Sequence, residues 1–344
     1  MNRLSLILIL ITTNVLADEQ IRSLAQAAIN KDGAGSVSIG IIEGSKIVYA
    51  EAFGYADMEQ KIDATPEHVY RIGSITKQFT GLALLKLAHE GTLQLTDPVE
   101  QHFKPINLVR DRFPNAPPIT LVQLATMTSG LSREPEDLPS YLVGPTSKWI
   151  DVVIKALPKV RYDFPPDTTY QYSNIGYAIL GAALEKATNR KFIDYVREEI
   201  IVPLGLKDTD FLPQPHYEEH IATGYQINDG KIDARTPLQQ HSGRGYKVPN
   251  GALYSTVFDL AKFISFQLGY GPEHVIPKDV LFKNFSKTNS ANGTLTSGYG
   301  IGFRVLRRGN LIVFGHGGGV AGYRAGAYFD RISEKGVVVL RNVG

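Results

Sequence analysis

The chain of 344 residues contains no cysteine. This absence excludes disulfide bonds, thiolate metal ligands, a cysteine nucleophile and a lipidated N-terminal cysteine. An excess of one charge is also missing, because the formal net charge is only +2, so the composition favours neither a nucleic-acid partner nor an acidic tail. The eight histidines are scattered without the spacing of metal ligands, and we expect no metal and no other cofactor.

Long apolar runs are confined to the N-terminus. Residues 1–3 form a short basic start, residues 4–11 are almost entirely apolar, and residues 15–17 are small or apolar. The pattern predicts a secretory signal peptide over residues 1–17, cut before Asp18, and the alternative is a buried N-terminal strand or helix. Because the run is shorter than the ~20 residues that a membrane helix needs, we expect a secreted or periplasmic protein with no stable membrane span after signal removal.

The length and the hydrophobic patterns predict a two-part α/β (α+β) fold. A chain of this size exceeds what one hydrophobic core usually serves. Apolar patterns predict strands near both ends of the chain, over residues 36–41, 47–53, 300–306, 311–314, 322–329 and 336–340. We therefore predict an antiparallel β-sheet flanked by helices, built from residues 18–95 and 246–344, with residues 96–245 as an inserted, mainly helical domain.

Apolar positions repeat with helical spacing outside these strands. They predict helices over residues 20–29, from about 74 to a stop at Gly91, and over residues 120–128, 174–188, 192–201 and 259–268. Two of these helices begin at residues that can carry chemistry.

The first such pattern is a serine followed three residues later by a lysine. Ser74 and Lys77 would share one helix face, with Ser74 at the N-terminus, where unpaired N–H groups favour an oxyanion. Phe79 and Leu82 would partly desolvate the Lys77 amine and lower its pKa, so that it accepts the serine proton. The alternative is a helix-capping Ser74 with a solvated Lys77, since about one Ser-x-x-Lys is expected by chance in such a chain.

The second pattern is Tyr172-Ser173-Asn174, where a loop passes into an apolar helix. The Tyr172 phenol could act as a base if neighbouring cations depress its pKa from the usual value of about 10. Asn174 offers both a donor and an acceptor, so it can hold a lysine and a substrate amide together. The alternative is a helix-capping Asn174 with Tyr172 packed on the surface.

The third pattern is His316 followed by glycines at 317, 318 and 319. These glycines permit close approach of a ligand to the backbone, and an N–H group of this stretch could join that of Ser74 in an oxyanion hole. The alternative is a glycine-rich turn with an exposed histidine. A dinucleotide-binding interpretation of residues 317–322 is weak, because a strand pattern and no helix follows.

The ordered set Ser74-x-x-Lys77, Tyr172-x-Asn174 and His316-x-Gly318 resembles the serine β-lactamase and penicillin-binding family. The likeness is to the branch with class C β-lactamases, DD-peptidases, D-stereospecific aminopeptidases and related esterases. It runs from about residue 36 to residue 343, and the phrases "TSGL", "YSNIGYAILG" and "ALYSTVFDLAKF" agree with it. The resemblance implies an α/β domain with an antiparallel sheet, a helical domain beside it, and a site in the cleft between them.

The resemblance also implies roles for the residues of the three patterns. Ser74 is acylated by the substrate, Lys77 and Tyr172 share the proton transfers, and water then releases the acyl group without a metal. Which of Lys77 and Tyr172 is the base stays open. The N–H groups of Ser74 and Gly319 form the oxyanion hole. The substrate-binding residues that it implies are Asn174, His316 and Gly318.

Two features depart from the family pattern. His316 stands where typical β-lactamases have a lysine, and a histidine is mostly neutral at pH 7. This favours peptidase or esterase activity over efficient β-lactam hydrolysis, and anionic substrates should bind better below pH ~6.5 if His316 contacts them. The chain also stops at Gly344 after a strand, where relatives usually add a helix; we expect either a longer chain or an exposed apolar sheet face.

The leading hypothesis is an exported serine hydrolase acting through an acyl-enzyme on a D-amino-acid peptide, amide or ester. The alternatives on the same site are an esterase for small acyl esters and a weak β-lactamase. A third hypothesis, from another class, is a non-catalytic penicillin-binding or cell-wall sensor protein on this scaffold. The expected partner is a small molecule or short peptide, with peptidoglycan-derived peptides among the candidates.

Overall fold

A computed structural model describes residues 15–240, 244–283, 289–290, 297–309 and 311–344. Residues 1–14, which carry most of the predicted signal peptide, lie outside this part of the chain. Within the described residues, no helix combines the length and the apolar character that crossing a membrane requires.

A nine-stranded antiparallel sheet forms the centre of the fold, in the order β3-β2-β1-β13-β12-β11-β10-β9-β8. The strands are β1 Ser36–Glu43, β2 Lys46–Asp57, β3 Ile62–Asp63, β4 Tyr70–Arg71, β5 Gln226–Asn228, β6 Lys231–Asp233, β7 Tyr254–Ser255, β8 Asn289–Ser290, β9 Ser297–Tyr299, β10 Arg304–Arg308, β11 Leu311–Val320, β12 Tyr323–Asp330 and β13 Lys335–Arg341. β4 pairs with β7, and β5 with β6, in two small separate sheets.

Strands from the two ends of the chain are direct neighbours in the large sheet. β1 pairs antiparallel with β13, and Val37 lies opposite Arg341. Asn342 fastens this junction: its Oδ1 accepts from the N–H of Ser36, and its Nδ2 donates to the carbonyls of Ala56 and Thr223. The predicted fold class, with an antiparallel sheet flanked by helices, is confirmed.

Helices cover the sheet and fill the middle of the chain. They are α1 Val15–Asp32, α2 Thr76–His89, α3 Val99–His102, α4 Leu121–Ala125, α5 Trp149–Ala156, α6 Asn174–Thr188, α7 Phe192–Val196, α8 Arg235–Gln240, α9 Val248–Gly251, α10 Val257–Gln267 and α11 Lys278–Lys283. α3 to α8 all fall within the predicted inserted segment, 96–245, whose exact boundaries stay a prediction.

α2 is the helix that follows the candidate nucleophile, and it is buried on nearly every side. Its ring of Phe79 stacks on Phe263 of α10, with ring centroids 4.2 Å apart. α10 in turn packs against β1 and β13. Because α2 is packed tightly on nearly every side, it holds the residues at its N-terminus rigidly in place.

β11 is longer than the sequence predicted. The apolar pattern indicated a strand that stops at residue 314, whereas the structure continues it through the glycines to Val320. At Gly318 an added Cβ would lie 1.9 Å from the carbonyl oxygen of Ile72. The missing side chain therefore lets β11 lie against the turn that precedes α2, so this glycine accommodates the protein's own backbone.

Candidate active site

Ser74 lies in a single 3₁₀ turn, Gly73–Ile75, that leads directly into α2. The preceding Gly73 has φ = 51°, a conformation that glycine adopts without steric cost. A Cβ at Gly73 would also lie 2.7 Å from the backbone nitrogen of Gly319 in β11. The two glycine-bearing segments thus bring the serine and the end of β11 side by side.

Lys77 is fully buried one turn further along. Its Nζ lies 3.2 Å from Ser74 Oγ, and it donates to Asn174 Oδ1 at 2.7 Å and to the carbonyl oxygen of Asn250 at 2.9 Å. Burial, and then the nearby charge of Lys247, lower the pKa of Lys77 well below its ordinary value. The solvated alternative for Lys77 is therefore wrong, and its amine is placed to accept the proton of the Ser74 hydroxyl.

Tyr172 lies beside Lys77 and Ser74. Its ring centroid is 5.0 Å from Lys77 Nζ, and its phenol is close enough to the Ser74 hydroxyl for that group to act on its pKa. Burial raises the pKa of Tyr172 and outweighs the opposing effects of the neighbouring Ser74 hydroxyl and of the cations Arg304 and Arg133. The cations do act in the expected direction, but the pKa of Tyr172 is raised overall, so the condition under which Tyr172 would act as the base is not met in the free protein.

Asn174 is the first residue of α6, but it is not the capping residue. Ser173 is the N-cap, because its Oγ accepts a hydrogen bond from the N–H of Gly176 at 2.9 Å. The Asn174 side chain is therefore free to turn towards the site. Its Oδ1 accepts from Lys77, and its Nδ2 donates to Glu134 Oε1 at 2.5 Å.

His316 lies behind these residues and is only 1% exposed. Its Nε2 is 3.0 Å from the Tyr299 hydroxyl, and its Nδ1 is 2.6 Å from the carbonyl oxygen of Gly317. Burial, followed by the charges of Lys77 and Arg304, lowers the pKa of His316 well below its ordinary value. The alternative of an exposed histidine in a turn is wrong, and His316 is absent from the wall of the cavity described below.

This placement changes the expected role of His316 in pH dependence. Better binding of anions below pH ~6.5 required a contact that the buried ring does not offer, and its titration is displaced to lower pH. We now expect the KM of an anionic ester, such as 4-nitrophenyl succinate, to change equally with pH in wild type and in His316→Gln between about pH 5.5 and 7.5. A step near pH 6.5 that appears in wild type and disappears in the variant would restore the original expectation.

A cavity of about 270 Å³ opens in front of Ser74. Its wall is formed by Ser74, Arg133, Glu134, Leu138, Leu142, Asn174, Arg244, Lys247, Asn250, Gly251, Gly319, Val320 and Ala321. Ser74 and Gly319, the predicted oxyanion-hole pair, both belong to this wall. Gly318, predicted to bind substrate, does not, because it packs against the Ile72 carbonyl instead.

Five polar residues of the wall were not singled out from the sequence. They are Arg133, Glu134, Arg244, Lys247 and Asn250. Four of them come from loops or a short turn and Asn250 from the four-residue helix α9, so none carries a periodic signal. The one available cue was that residues 133–134 follow the phrase "TSGL" after a single serine. Three of the five are cations, so the cavity stays positively charged although position 316 holds a histidine.

Ser74 lies at the start of a helix beside an antiparallel sheet and is within hydrogen-bonding distance of the buried amine of Lys77. This arrangement defines a Ser–Lys type of site. The profile of the Beta-lactamase family matches residues 21–343 of the chain. The chain therefore belongs to the Beta-lactamase family. Among the described residues, no group of three or more histidine, aspartate or glutamate side chains is arranged to hold a metal ion.

Individual relatives agree with this assignment. "Protein flp" of Staphylococcus aureus strain MW2 is 28% identical over 274 residues, which cover 79% of this chain and 53% of that protein. The chain thus spans about half the length of this curated relative.

Solved structures share the fold over nearly the whole chain. The octameric penicillin-binding protein homologue from Pyrococcus abyssi has a TM-score of 0.79 and 27% identity, covering 94% of this chain and 73% of that one. The D-amino acid amidase of Ochrobactrum anthropi SV3, in complex with L-phenylalanine amide, has a TM-score of 0.77 and 23% identity, covering 95% of this chain and 91% of that one. At this lower identity the likeness to the amidase is one of fold alone.

Proposed function

We propose that the chain is a serine hydrolase that forms a covalent acyl-enzyme on Ser74. The observation that carries this proposal is the 3.2 Å contact between Lys77 Nζ and Ser74 Oγ, made by an amine whose pKa is depressed by burial. A serine hydroxyl is a weak nucleophile until a neighbouring base accepts its proton. Export, with cleavage before Asp18, is part of the same proposal.

The reaction would proceed in two halves. In the first, Lys77 accepts the hydroxyl proton while Ser74 Oγ attacks the substrate carbonyl carbon, and the N–H groups of Ser74 and Gly319 stabilise the oxyanion. The carbonyl–leaving group bond then breaks, and the proton passes from Lys77 through the Tyr172 hydroxyl to the leaving group. In the second half a water molecule attacks the ester, gives up its proton by the same route and releases the acid and free Ser74.

Two substrate classes fit this site. The cavity of about 270 Å³ suits a small or short substrate, and the fold is shared with a D-amino acid amidase; these points support a D-amino-acid amide or peptide. The high pKa of Tyr172 supports an ester instead, because an alkoxide or phenoxide leaves more easily than the anion of an amine and so depends less on proton donation. The Ser74–Lys77 contact argues against a non-catalytic sensor.

The first test is the identity of the acylated residue. After brief incubation with 4-nitrophenyl acetate and acid quenching, mass spectrometry should find one acetyl group on the peptide that contains Ser74. The Ser74→Ala variant should carry none and should release nitrophenol no faster than buffer. Equal release by the two proteins would overturn the proposal; D-phenylalanine amide, D-alanyl-D-alanine and benzylpenicillin, compared under the same conditions, then separate the substrate classes.

A further inference from the structure

Glu134 is the only carboxylate in the described wall of the cavity, and three donors converge on it. Its side chain is 20% exposed. Oε1 accepts from Asn174 Nδ2 at 2.5 Å and from Lys247 Nζ at 3.3 Å, and Oε2 accepts from the hydroxyl of Tyr246. The family patterns do not include this residue, and the proposed mechanism gives it no step.

The contact with Asn174 decides which end of that amide faces Lys77. A carboxylate can only accept hydrogen bonds, so the Nδ2 end of Asn174 must point towards Glu134. The Oδ1 end is then left for Lys77 Nζ, which it meets at 2.7 Å. If the Asn174 amide were reversed, its Oδ1 would face the Glu134 carboxylate and its Nδ2 would face Lys77 Nζ. Both contacts would be unfavourable, so Glu134 excludes the reversed orientation.

The same carboxylate is tied to the second acceptor of Lys77. The backbone carbonyl of Asn250 accepts a hydrogen bond from Lys77 Nζ. The side chain of Asn250 donates from its Nδ2 to the carbonyls of Asn174 and Tyr246. The turn Gly245–Lys247 leads directly into α9, which contains Asn250. Lys77 Nζ has two acceptors besides Ser74, the Asn174 side chain and the Asn250 carbonyl. Glu134 contacts the first directly and the second through Tyr246, so it helps to fix both.

The charge of Glu134 does not explain its presence. A negative charge raises the pKa of Lys77 and so opposes formation of the free amine, whereas Lys247 lowers it. The Glu134 carboxylate and the Lys247 ammonium are paired with each other, so their opposite effects on the pKa of Lys77 largely cancel. What remains is a strong, fixed hydrogen-bond acceptor with little net charge.

We propose that Glu134 is a positioning residue that fixes the Asn174 amide and thereby aims Lys77 at Ser74. This inference rests on the hydrolase function proposed above. It assigns Glu134 no proton transfer and no contact with the reacting atoms. The quantity that depends on it is the rate of acylation of Ser74, because a misplacement of about 1 Å can cost about 100-fold.

The test compares acylation rates by 4-nitrophenyl acetate in four variants of the whole chain. Glu134→Ala should acylate about 100-fold more slowly than wild type, and Glu134→Gln should recover most of this loss because its amide oxygen still accepts from Asn174. Glu134→Ala/Lys247→Met should stay slow, since removing the stranded ammonium does not restore the acceptor. Glu136→Gln is the matched control, because Glu136 is 43% exposed and pairs with Arg110 and Arg161 away from the site.

Three results would overturn the inference. They are a Glu134→Ala variant as fast as Glu136→Gln, a Glu134→Gln variant as slow as Glu134→Ala, and recovery of the wild-type rate in the double variant. Thermal unfolding of each protein separates slow acylation from loss of the fold.

Failure of the proposed function is a distinct outcome. If wild type is not acylated at Ser74, the side-chain amide signals of Asn174 in nitrogen-15 NMR, assigned with Asn174→Asp, still report on the contact. They should shift strongly in Glu134→Ala and remain in place in Glu136→Gln. Signals that stay unchanged in both variants would refute the role of Glu134.

Discussion

Replacing Lys77 by methionine is expected to lower the kcat of ester hydrolysis about 10³–10⁴-fold while the chain remains folded. Methionine fills a similar apolar volume in the buried site but offers no base to the hydroxyl of Ser74. Tyr172 cannot take over, because burial raises its pKa and keeps the phenol protonated. The measurement is kcat for 4-nitrophenyl acetate in wild type, Lys77→Met and Ser74→Ala.

The double variant provides the control for this prediction. Because Ser74 and Lys77 act as one unit, Ser74→Ala/Lys77→Met should be no slower than Ser74→Ala alone. If Lys77→Met instead kept wild-type kcat, proton removal from Ser74 would have to belong to another group.

The pH profile of wild type follows from the same amine. The active form has Lys77 unprotonated, so kcat/KM should fall as the pH drops through the pKa of Lys77, and this acid limb should lie well below the ordinary lysine value. The charged groups that act on the amine are Lys247, Glu134, Arg133 and Arg304, and His316, Tyr172 and Tyr177 are the titratable rings beside it. An acid limb near pH 10 would contradict a desolvated base.

The Gly318→Ala substitution is expected to destabilise the protein by about 3 kcal/mol and to reduce acylation of Ser74 about 100-fold. Its Cβ would lie 1.9 Å from the carbonyl oxygen of Ile72, which is backbone and cannot rotate away. β11 and the turn Gly73–Ile75 must then separate, and Ser74 moves relative to Gly319. For a chain of this length the loss corresponds to a fall in Tm of roughly 4 °C, which calorimetry would detect.

Gly319→Ala is the matched control one residue further along β11. A Cβ there would meet Arg324 Nη1 at 2.6 Å, and the end of an arginine side chain can move at little cost. The substitution also keeps the backbone N–H that the oxyanion hole needs. We expect a loss of less than about 1 kcal/mol, and equal losses in the two variants would contradict the explanation by close backbone approach.

The sequence was sufficient for the elements that local chemistry determines. α6 begins and ends at the predicted residues, 174 and 188, because Ser173 supplies a capping hydroxyl and the apolar positions repeat with helical spacing. The alternation in residues 36–41 predicted β1, which is buried between two neighbouring strands. The ordered patterns also named Ser74, Lys77 and Asn174, which the fold brings into hydrogen-bonding contact at the site, although their roles in the reaction stay predictions.

Tertiary packing decided what the sequence could not. Glycine has little intrinsic preference for strands, so the extension of β11 depends on its fit against the Ile72 backbone rather than on a local signal. The direction of the Tyr172 pKa depends on how much water the assembled site excludes. Glu134 and Lys247 are 113 residues apart, and no periodicity links two loop residues that meet only after folding.

The junction between β1 and β13 has a consequence for biosynthesis. Ser36 and Asn342 are 306 positions apart in the chain and yet hydrogen-bonded to each other. β1, one of the first strands to be synthesised, therefore cannot pair with β13 until the end of the chain has been made. Until residues 335–342 are available, β1 presents an unpaired edge, which is a template for association with other chains. Closure over so great a separation is slow, so the newly made protein should depend on protection of that edge before its sheet is complete.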